Sequence, residues 1–251
     1  MRKLGRAWPS LVTCLVIVAI WQVASDREVV NPALLPPPSR VFPLLWEMIA
    51  SGAVLAPLAH TLGYLAAGYA LGCAVGISLG VLMGVNHHVF NIFEPLVELI
   101  RPIPKPALIP PLFLFLGIGT TTKLTVIALA TFFPVLLNTI QGVRGVEPVA
   151  VNTARTLGHS TIATIVKVVL PGALPLILVG MRVALGLALI LVILAEMLVD
   201  AKGLGYQIID LQRSFGITEM FAWIMILAVI GVLLNAAFEW FERLAVPWRA
   251  K

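Results

Sequence analysis

Charge is what this sequence has least of. Lys, Arg, Asp and Glu make up 12% of its 251 residues, where a soluble domain carries about a quarter. Hydrophobic residues reach 60% and mean hydropathy is +1.01. Such a chain cannot cover its own surface with polar groups, so it belongs in a bilayer. Its length suits about six spans of roughly 20 residues with short loops, and no separate soluble domain fits. No G-x-x-x-x-G-K-[ST] phosphate loop occurs, which excludes an ATP-hydrolysing engine in the chain itself. The lack of an H-E-x-x-H pair or a nucleophile–base triad places a membrane-embedded enzyme last among the function classes. The two cysteines, Cys14 and Cys73, sit in apolar runs and read as packing residues.

The charge that is present is uneven. The net value is +5, which reads as the basic bias of cytoplasmic loops rather than a nucleic-acid face, since no folded basic domain is available. One set of loops holds Arg2, Lys3, Arg6, Arg144, Arg155, Lys167, Arg243, Arg249 and Lys251. The other mixes Arg27, Arg40, Lys123, Lys202 and Arg213 with Asp26, Glu28, Glu47, Asp200, Asp210 and Glu219. The basic set marks the cytoplasmic side, which puts both termini inside if there are six spans.

Taken in order, residues 1–53 read as an N-terminal span, a Pro-rich connector and an interfacial helix. The basic start and the short apolar run 11–23 also fit a signal peptide, with Val23-Ala24-Ser25 as its cleavage site; a retained span agrees better with the charge count. Pro32, Pro36, Pro37 and Pro38 make an extended connector. Val41, Leu44, Leu45, Met48 and Ile49 form an amphipathic stripe suited to the outer surface. Residues 54–251 read as the core. In 54–85, Gly68, Gly72, Gly76, Gly80 and Gly84 recur every fourth residue, a ridge that another helix can approach closely, in the same chain or in a dimer mate. His87 and His88 are adjacent rather than one helical turn apart, so they read as a polar turn and not as metal ligands.

Prolines at 102, 104, 106, 110 and 111 forbid a continuous helix across 89–116. Irregular backbone at membrane depth persists only where it is buried or lines a cavity, so this is the candidate pathway. Arg101, Lys105 and Arg182 are cations near membrane depth and would draw a small anion. Glu94, Glu98 and Glu196 are available as their partners, and Glu196, itself within a span, joins the candidate pathway set. Residues 117–123 and 201–219 read as outer loops.

The longest ordered interruption is 147–175. Residues 152–157 contain no Gly or Pro and favour a short helix. Gly158 is placed to end it, Ser160 or Thr161 to cap a second helix, and Pro171 to bend or break that helix before the next span. An ion-gradient-driven secondary transporter or channel would account for the broken segment and the charges, but not for this ordered helix pair.

The spacing of Ala154, Gly158, Ile165 and Leu170-Pro171 resembles the EAA loop of ABC importer permeases, with Asn152 and Thr153 standing where that family usually has Glu and Ala. Further stretches are similar to the branch that imports aliphatic sulfonates, taurine, nitrate and bicarbonate: Leu35-Pro36-Pro37-Pro38-Ser39, Arg101-Pro102-Ile103-Pro104, Gly117-Ile118-Gly119, Ala195-Glu196-Met197 and Gly203-Leu204-Gly205-Tyr206. The resemblance implies an all-α type I importer permease in the bacterial inner membrane, working as a homodimer among lipid. It implies two copies of a separate ATPase, which would hold the ATP and Mg, and a periplasmic or lipid-anchored solute-binding protein. It also implies a coupling loop over 141–171, with Val151, Asn152, Thr153, Ala154, Arg155, Thr156, Leu157 and Gly158 against the ATPase.

Overall fold

Helix is the only regular structure among the described residues, 4–199 and 202–247 of a computed structural model. Arg2, Lys3, Asp200, Arg249 and Lys251, counted above for the charge asymmetry, lie outside them. The helices are α1 (Leu4–Asp26), α2 (Pro38–Ala50), α3 (Leu55–Val85), α4 (His87–Ile100) and α5 (Ile109–Leu116), then α6 (Thr120–Arg144), α7 (Pro148–Thr156), α8 (Thr161–Thr164), α9 (Leu170–Val199), α10 (Leu204–Arg213) and α11 (Ile217–Ala245). A 3-10 turn over Lys105–Leu108 leads into α5, and a wide π turn over Ile165–Val169 joins α8 to α9.

Among the described residues, four rods are long and apolar enough to cross a bilayer: α3, α6, the joined α8–α9 and α11. The pair α4 and α5, bent by 88° at the Pro-rich break, makes a fifth crossing if counted as one span. The sixth crossing of the sequence reading rests on α1, a helix of 23 residues with Pro9 inside it.

The bundle is built around α6, which lies between α3 and α9. The glycine ridge is the reason α3 sits so close. A Cβ added at Gly68 would lie 2.6 Å from Ile127 Cβ, at Gly72 2.6 Å from the Ala128 carbonyl oxygen, and at Gly80 2.6 Å from Thr139 Cβ. The ridge therefore serves a helix of the same chain. Gly63, outside the five-residue series, faces open space. The α6–α9 seam repeats the device with Gly142 and Gly180, whose added Cβ atoms would meet the Ala173 carbonyl at 2.9 Å and Asn138 Cβ at 2.6 Å. The hydroxyls of Thr131 and Thr139 turn back onto the carbonyls of Ile127 and Val135, so the polar atoms on this face are satisfied within α6. On α2, Val41 is fully buried while Ile49, at the far end of the predicted stripe, is exposed.

Several boundaries differ from the sequence reading. His87 and His88, read as a polar turn, open α4, with the Asn86 side chain accepting from His88 N–H as its cap. Lys123 belongs to α6 rather than to a loop: its stem is buried and its ammonium lies 4.0 Å from the centre of the Tyr64 ring, a cation–π contact that lets helix form around a charge. The predicted loop 201–219 contains α10, whose Leu204 and Ile208 pack on Trp223 and Ile226 of α11. Pro171 neither breaks nor ends its helix, because the π turn just before it lets Leu170 N–H reach back five residues to Ile165 and widens the coil ahead of the ring.

Candidate functional site

The helix pair predicted over 147–175 is present and locked at its turn. Gly158 adopts φ +79°. Its N–H donates to Arg155 O at 3.0 Å and the next, His159 N–H, reaches Ala154 O at 3.1 Å. These two bonds form the Schellman closure that a left-handed glycine permits. Ser160 Oγ then accepts from Ala163 N–H at 3.2 Å and starts α8. One face of α7 is anchored, since Ala154 is buried and Val151 packs against an apolar cluster formed by Val143 of α6, Val169 of the π turn, and Ala173 and Ile177 of α9. The other face presents Asn152, Thr153, Arg155, Thr156, Leu157 and Gly158 to solvent. Leu157 is 74% exposed and Ile162, just past the turn, also 74%. A rigid, partly apolar surface carrying one cation is what a partner protein can grip. Behind it, a gap of about 420 Å³ lined by Asn86, His87, Arg155 and Thr161 separates α7–α8 from the α3–α4 junction.

The broken segment is ordered by its own lysine. Lys105 Nζ donates to the carbonyls of Ile100 (3.1 Å), Arg101 (3.0 Å) and Ile103 (2.9 Å), and lies 4.2 Å from the centre of the Phe133 ring. An ammonium has three protons, so this side chain is fully engaged in capping the end of α4. Arg101 is different. Its Nη1 donates to Glu98 at 3.2 Å, but the side chain stays half exposed. It lines two cavities at once. One, about 390 Å³, is walled by Lys105, Phe133, Leu187 and Leu191 and is largely apolar. The other, about 500 Å³, adds Glu94, Glu98, Gln141 and Arg144. Arg101 and Leu137 are common to both. Arg144 is held by stacking on Phe90, its guanidinium carbon 3.6 Å from the ring centre. The two cavities thus lie side by side along α6, one apolar and one charged, with Arg101 between them.

The remaining two predicted pathway residues lie elsewhere. Arg182 faces α11, with Glu239 at 3.7 Å, Glu242 at 3.5 Å and Asn235 Oδ1 at 3.2 Å. Its partners are thus not Glu94, Glu98 or Glu196, as the sequence suggested. Asn235, Glu239 and Glu242 are spaced four and three apart, a polar stripe on an apolar helix that would have pointed to them. Glu196 is fully buried and bonded to Thr61 and to Gly205 N–H. Neither of the two cavities that Arg101 lines reaches it. The sequence reading gave no pathway role to Thr61, Phe133, Leu137 or Phe90, because nothing in local spacing tells which face of a uniformly apolar helix meets a cavity.

Similarity to known proteins extends over most of the chain. The family described as "Binding-protein-dependent transport system inner membrane component" matches residues 72–251. A "Putative aliphatic sulfonates transport permease protein SsuC" of Bacillus subtilis is 36% identical, over 93% of this chain and 85% of that protein. A "Taurine transport system permease protein TauC" of Escherichia coli is 30% identical, over 100% of this chain and 95% of that one. Among solved structures, the MetNI methionine ABC transporter in an inward-facing conformation superposes with a TM-score of 0.64 at 20% identity, over 81% of this chain and 98% of that chain. At that identity the likeness speaks for the fold.

Proposed function

We infer the working parts of this protein from one premise: the chain belongs to the binding-protein-dependent transport inner-membrane components, the permeases of ABC importers. It is the membrane-spanning transport subunit, with the fold of a type I importer. The reading for its solute is a small sulfonate-type anion such as taurine or an alkanesulfonate, supported by the relatives' names and by the half-exposed Arg101 between two cavities.

In this reading two copies pair around the path, and a binding protein outside delivers the solute. Two copies of a separate ATPase, holding ATP and Mg, grip α7 from the cytoplasm, where both termini also lie. The observation that carries it is the double nature of α7. Val151 and Ala154 key it into the feet of α6 and α9, while Asn152, Thr153, Arg155, Thr156, Leu157 and Gly158 face outward. A force on the outward face passes through that apolar cluster to α6, which walls both Arg101 cavities, and to α9, which walls the apolar one. Closure of the ATPases would rock α6 and α9 and open the path alternately to each side. Lys105 holds the bend of the broken span, and Arg182 ties α9 to α11; neither is assigned to the solute.

Gly158→Val tests the docking. A Cβ there meets open space, so the change introduces no clash, but φ +79° is strained for a branched side chain by about 1–2 kcal/mol. The expected result is a permease that inserts and purifies normally but no longer retains the ATPase. Full retention of the ATPase with normal uptake would contradict the reading.

A further inference from the structure

A carboxylate enclosed at the end of the bundle opposite α7 has no part in the two cavities described above. Glu196 lies three residues before the end of α9, about 40 Å along that helix from its first turn. Thr61 Oγ donates to its carboxylate, 2.8 Å from one oxygen and 2.9 Å from the other, and Gly205 N–H donates to Oε2 at 3.0 Å. The same hydroxyl accepts Leu204 N–H at 3.0 Å. His60 Nδ1 stands 3.6 Å from Oε1. Leu204 and Gly205 are the first residues of α10, and no side chain of α10 or its N-cap residue Gly203 caps that helix. Its first two amides are satisfied instead by side chains of α3 and α9, so the cap is built from residues far apart in sequence. The fit leaves no slack. A Cβ on Gly203 would lie 2.4 Å from the Glu196 carboxyl carbon, and one on Gly205 2.4 Å from Ile193 O.

What the cap joins is informative. On one side is α10, with Asp210, Gln212 and Arg213 exposed, followed by Phe215, which is 83% exposed and held at φ +59°. On the other is α9, where Leu191, about one and a half turns before Glu196, walls the apolar cavity beside Arg101 and Lys105. Burying a carboxylate is costly unless its hydrogen bonds are made, so a rigid arrangement is required here and α10 cannot tilt independently of α9.

We propose that Glu196 and Thr61 are positioning residues that fix the external helix α10 to the cavity-lining turn of α9, so that pressure of the loaded binding protein on α10 reaches the transport path. This rests on the sidedness proposed above, which puts α10 outside. It assigns Glu196 a role without solute contact, and it makes α10 the element through which arrival of the binding protein is registered.

The test uses the complete transporter in lipid nanodiscs with its ATPase and binding protein. Thr61→Val keeps the shape and removes the hydroxyl; Thr61→Ser restores it. Amide hydrogen exchange in the peptide carrying Leu204 and Gly205 is expected to speed up about tenfold or more in Thr61→Val, the factor given by losing roughly 1.4 kcal/mol of charge-assisted hydrogen bonding. Thr61→Ser is expected to match the parent. The concentration of loaded binding protein that half-stimulates the ATPase is expected to rise several-fold in Thr61→Val, with basal hydrolysis unchanged. Unaltered exchange in Thr61→Val would overturn the cap. Faster exchange with an unaltered response to the binding protein would overturn the positioning role. Labelling of Gln212→Cys by an impermeant thiol reagent from the cytoplasmic side alone would remove the sidedness on which that role rests, and would leave the exchange result standing.

Discussion

Replacing Gly72 by alanine is a sharp test of the α3–α6 seam. The new Cβ would lie 2.6 Å from the Ala128 carbonyl oxygen and 2.6 Å from Thr131 Cβ. Ordinary van der Waals contact begins near 3.4 Å, so the helices must separate locally by 3.4 − 2.6 = 0.8 Å. A gap of that size forfeits a quarter to a half of each neighbouring contact's attraction. Overpacking of this kind costs about 1–3 kcal/mol. The carbonyl is backbone and cannot rotate away. Gly63→Ala is the internal control: nothing lies within 4 Å of its added Cβ, and alanine is the better helix former by roughly 1 kcal/mol. Thermal unfolding of the purified permease in one detergent should therefore move in opposite directions, with Gly72→Ala losing several degrees and Gly63→Ala holding or gaining. Equal shifts in the two variants would refute the close-packed seam.

The cavities along α6 make further demands. Arg101→Ala should cut uptake of the solute at least tenfold while ATPase binding and basal hydrolysis persist, as measured in proteoliposomes; normal uptake would remove Arg101 from the path. Lys105→Met should act through structure instead, because it releases three carbonyls at the end of α4. It should lower the unfolding temperature and raise proteolysis at the Pro-rich bend, and a variant as stable as the parent would show that the cap does not hold the bend.

The sequence made the fold legible where a feature is local and periodic. Five glycines four residues apart announce a close seam, five prolines within ten residues announce a broken span, and Gly158 before Ser160 announces two capped helices. Features that depend on a distant partner were not legible. Glu196 and Thr61 are 135 residues apart, and Arg182 and Asn235 are 53 apart, so their pairing is a property of the assembled bundle. Lys105 reads in sequence as a loose cation near a path; only the folded turn aims three carbonyls at it. Pro171 reads as a breaker because a one-residue widening of the preceding coil leaves no mark in residue spacing.

The central claim is that the outward face of α7 takes its force from an ATPase in the cytoplasm. The most direct measurement is cross-linking of Arg155→Cys in sealed, right-side-out membrane vesicles that carry the whole transporter. The account predicts a specific cross-link to the ATPase subunit and no labelling by an impermeant thiol reagent added outside. Labelling from outside, or a cross-link to any protein other than the ATPase, would contradict it.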